Sequence, residues 1–150
     1  MTQAAKFTSV TSRHALPLLF AGQAQKEFTV NEALARLDLL VQPTCQGEIS
    51  DPPADPAPGD CYLVGDSATG EWQGHEECLA GWDGTQWTFV TPRAGMVLRD
   101  LASSSFARYE GGWQRLEGPA DPDGGTNIDL EAREAISALI SVLKSFGIFS

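Results

Sequence analysis

The sequence predicts an α+β fold: a small antiparallel β-rich domain with one packed N-terminal helix, followed by a linker and a C-terminal amphipathic helix. Three observations predict it. Residues 61–116 alternate short aromatic and β-branched segments with glycine turns. An apolar pattern at helical spacing precedes them at 29–41, and a second one closes the chain at 128–150 behind a run of helix breakers. A chain of 150 residues is enough for one core and an appendage.

The elements follow in order. Residues 1–15 are small and polar, with Lys6, Arg13 and His14, and read as an N-terminal arm that either docks on a partner or frays. Thr29 followed by Glu32 has the spacing of a capping box, so the first helix is expected to start there. Ala33, Leu34, Leu37, Leu40 and Val41 then mark the face that should pack on a sheet. Gln23, Gln25 and Asn31 lie before or at this start, where their amides can fix the turn or form a binding surface. The proline-rich stretch 51–60 reads as a stiff loop.

Strands are expected at Cys61–Val64, around Glu71 and Trp72, and at Leu79–Trp82 and Thr85–Val90, with Asp83-Gly84 turning a hairpin. Trp87 and Phe89 then share one face. Further strands are expected at Gly95–Leu98, Ser105–Tyr109 and Trp113–Leu116, the last two joined through Gly111 and Gly112. These make up a β-rich domain over 16–116, which a linker at 117–127 separates from the helix at 128–150.

In that helix Asn127 or Asp129 can cap the N-terminus, and Lys144 suits the C-terminal end. Leu130, Ile136, Leu139, Ile140, Leu143 and Phe146 form its apolar stripe, broadened by Val142, Ile148 and Phe149. Such a helix either folds back on its own domain or packs on another chain, and its stripe is the candidate assembly interface.

Composition narrows the functional classes. A formal charge of -10 disfavours a nucleic-acid partner or an anionic bilayer, and no run is long and apolar enough for membrane insertion. Cys45, Cys61 and Cys78 are odd in number and far apart, unlike a disulfide framework or a zinc site, so reduced buried thiols are expected. No nucleotide-binding glycine loop, nucleophile elbow or paired-histidine metal motif occurs, and no cofactor or enzymatic activity is expected. His75, Glu76, Glu77 and Cys78 cluster before a strand, but neighbouring strand residues point to opposite faces, so a solvated loop is the favoured reading. Trp72, Trp82, Trp87 and Trp113 all stand in or beside glycine turns. They read first as core, but Trp82, Asp83, Trp87 and Trp113 are also candidate glycan contacts, because an exposed indole can stack on a sugar ring.

The motifs GQAQKE, TVNEALARLD, PPADPAPGDCYLVG, GEW, AGWDGTQWTFVTPRAGM and YEGGWQ occur in that order through residues 16–116. In this the chain resembles a DUF2793-like family of uncharacterised domains found in phage-like particles of alphaproteobacteria, in tail or fibre proteins and in the head spikes of gene transfer agents. The resemblance implies a virion structural protein, made in the bacterial cytoplasm and released by lysis. It would be a homo-oligomeric head-spike or fibre base at a capsid vertex, holding capsid or spike-fibre proteins of the same particle. Its link to the capsular polysaccharide of a recipient cell would be indirect; the alternative is a carbohydrate-binding module that touches such polysaccharide directly.

Overall fold

The computed structural model describes residues 9–22, 26–125 and 129–149. Its two helices and eight strands make an α+β fold, divided into two compact units at Pro92–Arg93. This division precedes the breaker-rich stretch 118–127, where the sequence places its boundary.

In the first unit α1 spans Lys26–Leu40 and is followed by β1 (Thr44–Cys45), β2 (Glu48–Ile49), β3 (Cys61–Val64), β4 (Leu79–Trp82) and β5 (Trp87–Val90). Strands β2 to β5 form a sheet in that order. The sheet is mixed rather than purely antiparallel, because β2 runs parallel to β3 while β3–β4 and β4–β5 are antiparallel. The Asp83-Gly84 hairpin forms as expected: Trp82 pairs with Trp87, Gly84 takes a φ of +102°, and Asp83 Oδ1 accepts from the N–H groups of Thr85 and Gln86.

One sheet face carries the core of this unit, where Val64, Ala68, Trp72 and Ala80 are buried beneath Tyr62, Trp87 and Phe89. The strand expected around Glu71 and Trp72 is instead a 3-10 turn, Gly70–Trp72, that drives the indole of Trp72 into this core. Trp72 is fully buried and meets Trp87 edge-on at 5.0 Å. Its Nε1–H has no hydrogen-bond partner among the described residues, a penalty of about 1–3 kcal/mol that aromatic packing offsets.

The first helix departs from expectation in two ways. It begins by Lys26, so Thr29 lies inside it and no capping box forms there; Glu32 instead accepts from Arg36, one turn on, at 2.8 Å. The helix is also rotated. Leu37, Leu40 and Val41 face outward, while its buried residues are Glu27, Asp38 and Leu39. Polar side chains on the inner face decide this orientation, because each fastens the preceding segment by hydrogen bonds. Asn31 accepts from the Leu19 N–H and donates to its carbonyl, and Glu27 accepts from the Gly22 N–H.

The described part of the expected arm, residues 9–15, docks on its own unit. Val10 and Pro17 form an antiparallel bridge, and Asp38 receives the N–H groups of Arg13 and His14, both at 2.8 Å. The Arg13 guanidinium then donates to the carbonyls of Asp38, Leu39 and Gln42. The last turn of α1 holds no basic residue, so Arg13 supplies from outside the charge that free helix carbonyls attract.

In the second unit β6 (Val97–Asp100), β7 (Ser105–Tyr109) and β8 (Trp113–Arg115) form an antiparallel meander, and α2 spans Leu130–Ser145. Buried Asp100 ties the meander together: one oxygen accepts from the N–H groups of Ala102 and Ser103, the other from Arg115. Asp129 caps α2, as the sequence predicts, by accepting from the Ala132 N–H. The helix ends in a Schellman motif, with Gly147 at a φ of +71° and bonds from Ile148 to Leu143 and from Gly147 to Lys144. The tail is then anchored: Phe106 N–H donates to the Gly147 carbonyl, and Phe149 is buried against Gly118.

Leu39 presses on β4 at Gly81, where an added Cβ would lie 2.2 Å from Leu39 Cδ2. Gly81→Ala is expected to destabilise the protein by about 1–3 kcal/mol. In a denaturant double-mutant cycle with Leu39→Ala the combined loss should fall below the sum, whereas strict additivity would mean that the two positions do not press on each other.

Candidate functional site

Two surfaces concentrate the features that can do work. The first is a groove of about 590 Å³ within the first unit, bounded by residues 10–21, the inner edge of α1 and the β4–β5 hairpin. That volume suits a small-molecule or short-chain ligand. Leu18, Leu19, Phe28 and Ala35 give it an apolar wall, and Trp82, Asp83 and Gln86 stand at the hairpin end.

Most polar groups near its floor are already committed. Asp38 is bound to Arg13 and His14, Asn31 to Leu19, and Asp83 Oδ1 to its own turn. Burial raises the pKa of Asp38, but hydrogen bonds from the Arg13 N–H, the Thr11 hydroxyl and His14 outweigh it and hold the carboxyl below its ordinary value of 3.8. The groove therefore presents mainly shape, apolar surface and one half-exposed indole.

The candidate glycan residues separate in the structure. Trp82 and Asp83 line the groove together. Trp87 is half-buried between Trp82 and Trp72, with ring centroids 5.0 Å from each, and so belongs mainly to the core stack. Trp113 stands in the second unit against Tyr109, at 5.3 Å. Of the amides near the first helix, Asn31 is structural, while Gln23 and Gln25 lie outside the described residues.

The second surface is the outer face of α2. No residue of this helix is buried, and Leu139 and Phe146 are 63% and 70% exposed. Its inner side meets the unit's own linker, where Ser137 Oγ donates to Asp121 at 2.9 Å and Arg133 reaches the Gly124 carbonyl. Half-buried Ile140 shares that side, three residues beyond Ser137. Ile136, Leu139, Leu143 and Phe146 remain on the free side, joined by Val142, whereas exposed Leu130 projects away from them by helical spacing. Alternating exposure was legible in the spacing; which half of the broad stripe would stay free was not, because the linker contacts decide it.

His75 stacks flat on Phe89 at 3.8 Å, Cys78 meets Thr91, and no group of three potential metal ligands occurs among the described residues. No helix among them is long and apolar enough to cross a membrane.

Residues 30–114 match a family described as "Protein of unknown function (DUF2793)". The chain belongs to this family. Neither curated proteins nor solved structures match it. The family segment takes in most of α1, strands β1 to β7 with most of β8, and the aromatic core, and it ends before α2.

Two measurements probe these environments. Because the folded pKa of Asp38 is depressed, its stabilising contribution is complete above the unfolded value of 3.8 and is lost as pH falls below that through the folded pKa. Asp38→Asn should therefore cost about 2 kcal/mol in unfolding free energy at pH 7 and progressively less below pH 3.8; an equal cost at both would refute the charge-based account.

Burial pushes the Cys61 thiol up to about 11, against the lowering charge of Arg13, so at pH 8 only about a thousandth is thiolate. Thiol-reagent labelling of Cys61 should be slow in the native protein and fast in denaturant. Rapid native labelling would show that the site opens.

Proposed function

We propose that this protein is a non-enzymatic structural component of a phage-like particle of the gene-transfer-agent type. It would act as a homo-oligomeric head-spike or fibre base that holds capsid or spike-fibre proteins and so supports adhesion to a recipient cell indirectly. The observation that carries this reading is the apolar face of α2, held in place by a capped N-terminus and an anchored tail but exposed among the described residues. Contiguous apolar surface of this kind is characteristic of protein interfaces. The ordered motifs of residues 16–116, which resemble those of particle proteins, support the same reading. The same reading accounts for the sparse chemistry: an assembly component needs shape and adhesive surface rather than poised reactive groups.

A second reading has its own observation. Trp82 and Asp83 share a groove large enough for a saccharide, with Gln86 beside them, which is the arrangement a carbohydrate-binding module would use. On this reading the protein touches capsular or cell-surface polysaccharide directly.

The decisive experiment isolates intact particles from lysed producer cells and quantifies this chain by mass spectrometry. The expected result is several copies per particle, with at least a tenfold loss when residues 129–149 are deleted. Complete absence from intact particles would refute the structural role. Quenching of tryptophan fluorescence by recipient capsule, abolished in Trp82→Ala with the fold intact, would support the carbohydrate reading instead.

A further inference from the structure

Resting on the assembly reading, we infer that the free face of α2 docks on the same face of a second copy, with the two helices antiparallel and a two-fold axis at Leu139. At about 100° per residue, Ala132, Ala135, Ile136, Leu139, Val142, Leu143 and Phe146 fall within an arc of about 120°, and none of them is charged. Its N-terminal half carries Ala132 and Ala135 beside a single large residue, Ile136, whereas Val142, Leu143 and Phe146 in its C-terminal half are all large. A parallel partner would set Phe146 against Phe146 and Ala132 against Ala132, crowding one end and leaving a void at the other. An antiparallel partner centred on Leu139 sets Phe146 against Ala132, Leu143 against Ala135 and Val142 against Ile136, so the same face complements itself along its length.

Charge points to the same arrangement. The first turns of α2 carry Asp129, Glu131 and Glu134 against one Arg133, whereas the last turn carries Lys144 alone. Parallel pairing would bring the two acidic ends together. Antiparallel pairing separates them and brings each toward the basic end of the partner, with the helix dipoles also opposed. With the axis at Leu139 the two helices overlap over residues 133–145, about 20 Å, a contact at the small end of specific interfaces, so the pair should be reversible and concentration-dependent.

The test uses the full chain, by sedimentation equilibrium over a concentration series and by cysteine cross-linking. The native Cys45, Cys61 and Cys78 are buried, so an introduced surface thiol is the one that reacts. The mass should approach twice that of the chain at high concentration. Leu139→Asp should return it to one chain while leaving circular dichroism and tryptophan fluorescence unchanged, since Leu139 is exposed in the single chain. Leu139→Cys should form a disulfide-linked dimer. Ala132→Cys and Phe146→Cys should cross-link when mixed, and neither should do so alone.

A monomer at every concentration, a dimer that survives Leu139→Asp, or cross-linking of Ala132→Cys to itself would each overturn the proposal. Particle uptake is scored separately. A wild-type chain monomeric in solution yet present in particles overturns the α2 pairing and leaves the assembly reading standing, whereas an α2-paired dimer absent from particles does the reverse.

Discussion

The carboxylate of Asp38 is the constraint on which the organisation of the first unit depends. Near the C-terminal end of α1 it accepts the backbone N–H groups of Arg13 and His14, and that placement brings the Arg13 guanidinium onto the carbonyls at the end of the same helix. One buried charge thus closes both sides of an exchange: α1 orders the preceding segment, and the segment caps α1. Without the carboxylate, two backbone donors and a cluster of helix carbonyls would lose their partners together, which is why the effect exceeds that of an ordinary surface ion pair. The groove is a by-product of the clamp, since residues 10–21 form one of its walls only while they are held there.

The same clamp explains where sequence reasoning succeeds and where it fails. The hairpins were legible because their determinants are local: Asp83-Gly84 encodes its turn through a positive φ and an aspartate accepting from the next residues, and Trp87 and Phe89 alternate onto one face. The orientation of α1 was not legible. Its apolar residues recur at helical spacing, yet a polar set, Glu27, Asn31 and Asp38, occupies the inner face because each finds a backbone partner more than four residues away in sequence. Hydrophobic periodicity registers what a face is made of, not the long-range hydrogen bonds that can turn it inward. Trp72 is a related case: Glu71 and Trp72 follow a turn-rich stretch and read as the start of a strand, but a 3-10 turn forms there and carries the ring into the core.

In the second unit the start of the helix was easier to read than its end or its environment. Asp129 is a local capping signal and is realised, whereas the helix expected over 128–150 stops at Ser145, because Gly147 takes a left-handed φ and turns the chain away. The burial of Phe149 against Gly118 and the bonds from Ser137 and Arg133 to the linker join residues far apart in sequence. Those contacts fix the rotation of α2 about its axis. They consume the side bearing Ile140 and release the side bearing Leu139 and Phe146, so the candidate interface is defined as much by what the linker covers as by the stripe itself.

Electrostatics then determines what kind of association such a face can support. A chain with a formal charge of -10 repels copies of itself at long range, and at physiological ionic strength that repulsion fades over about 8 Å. Contact must therefore come from a patch that carries no charge and buries apolar area once the chains are close. The outer face of α2 meets both conditions, because its charged residues lie on its flanks or toward the linker. Repulsion elsewhere does not merely weaken association; it penalises every approach that fails to align the neutral faces. In the proposed assembly role, an acidic surface with one uncharged helical face would thus trade affinity for orientation.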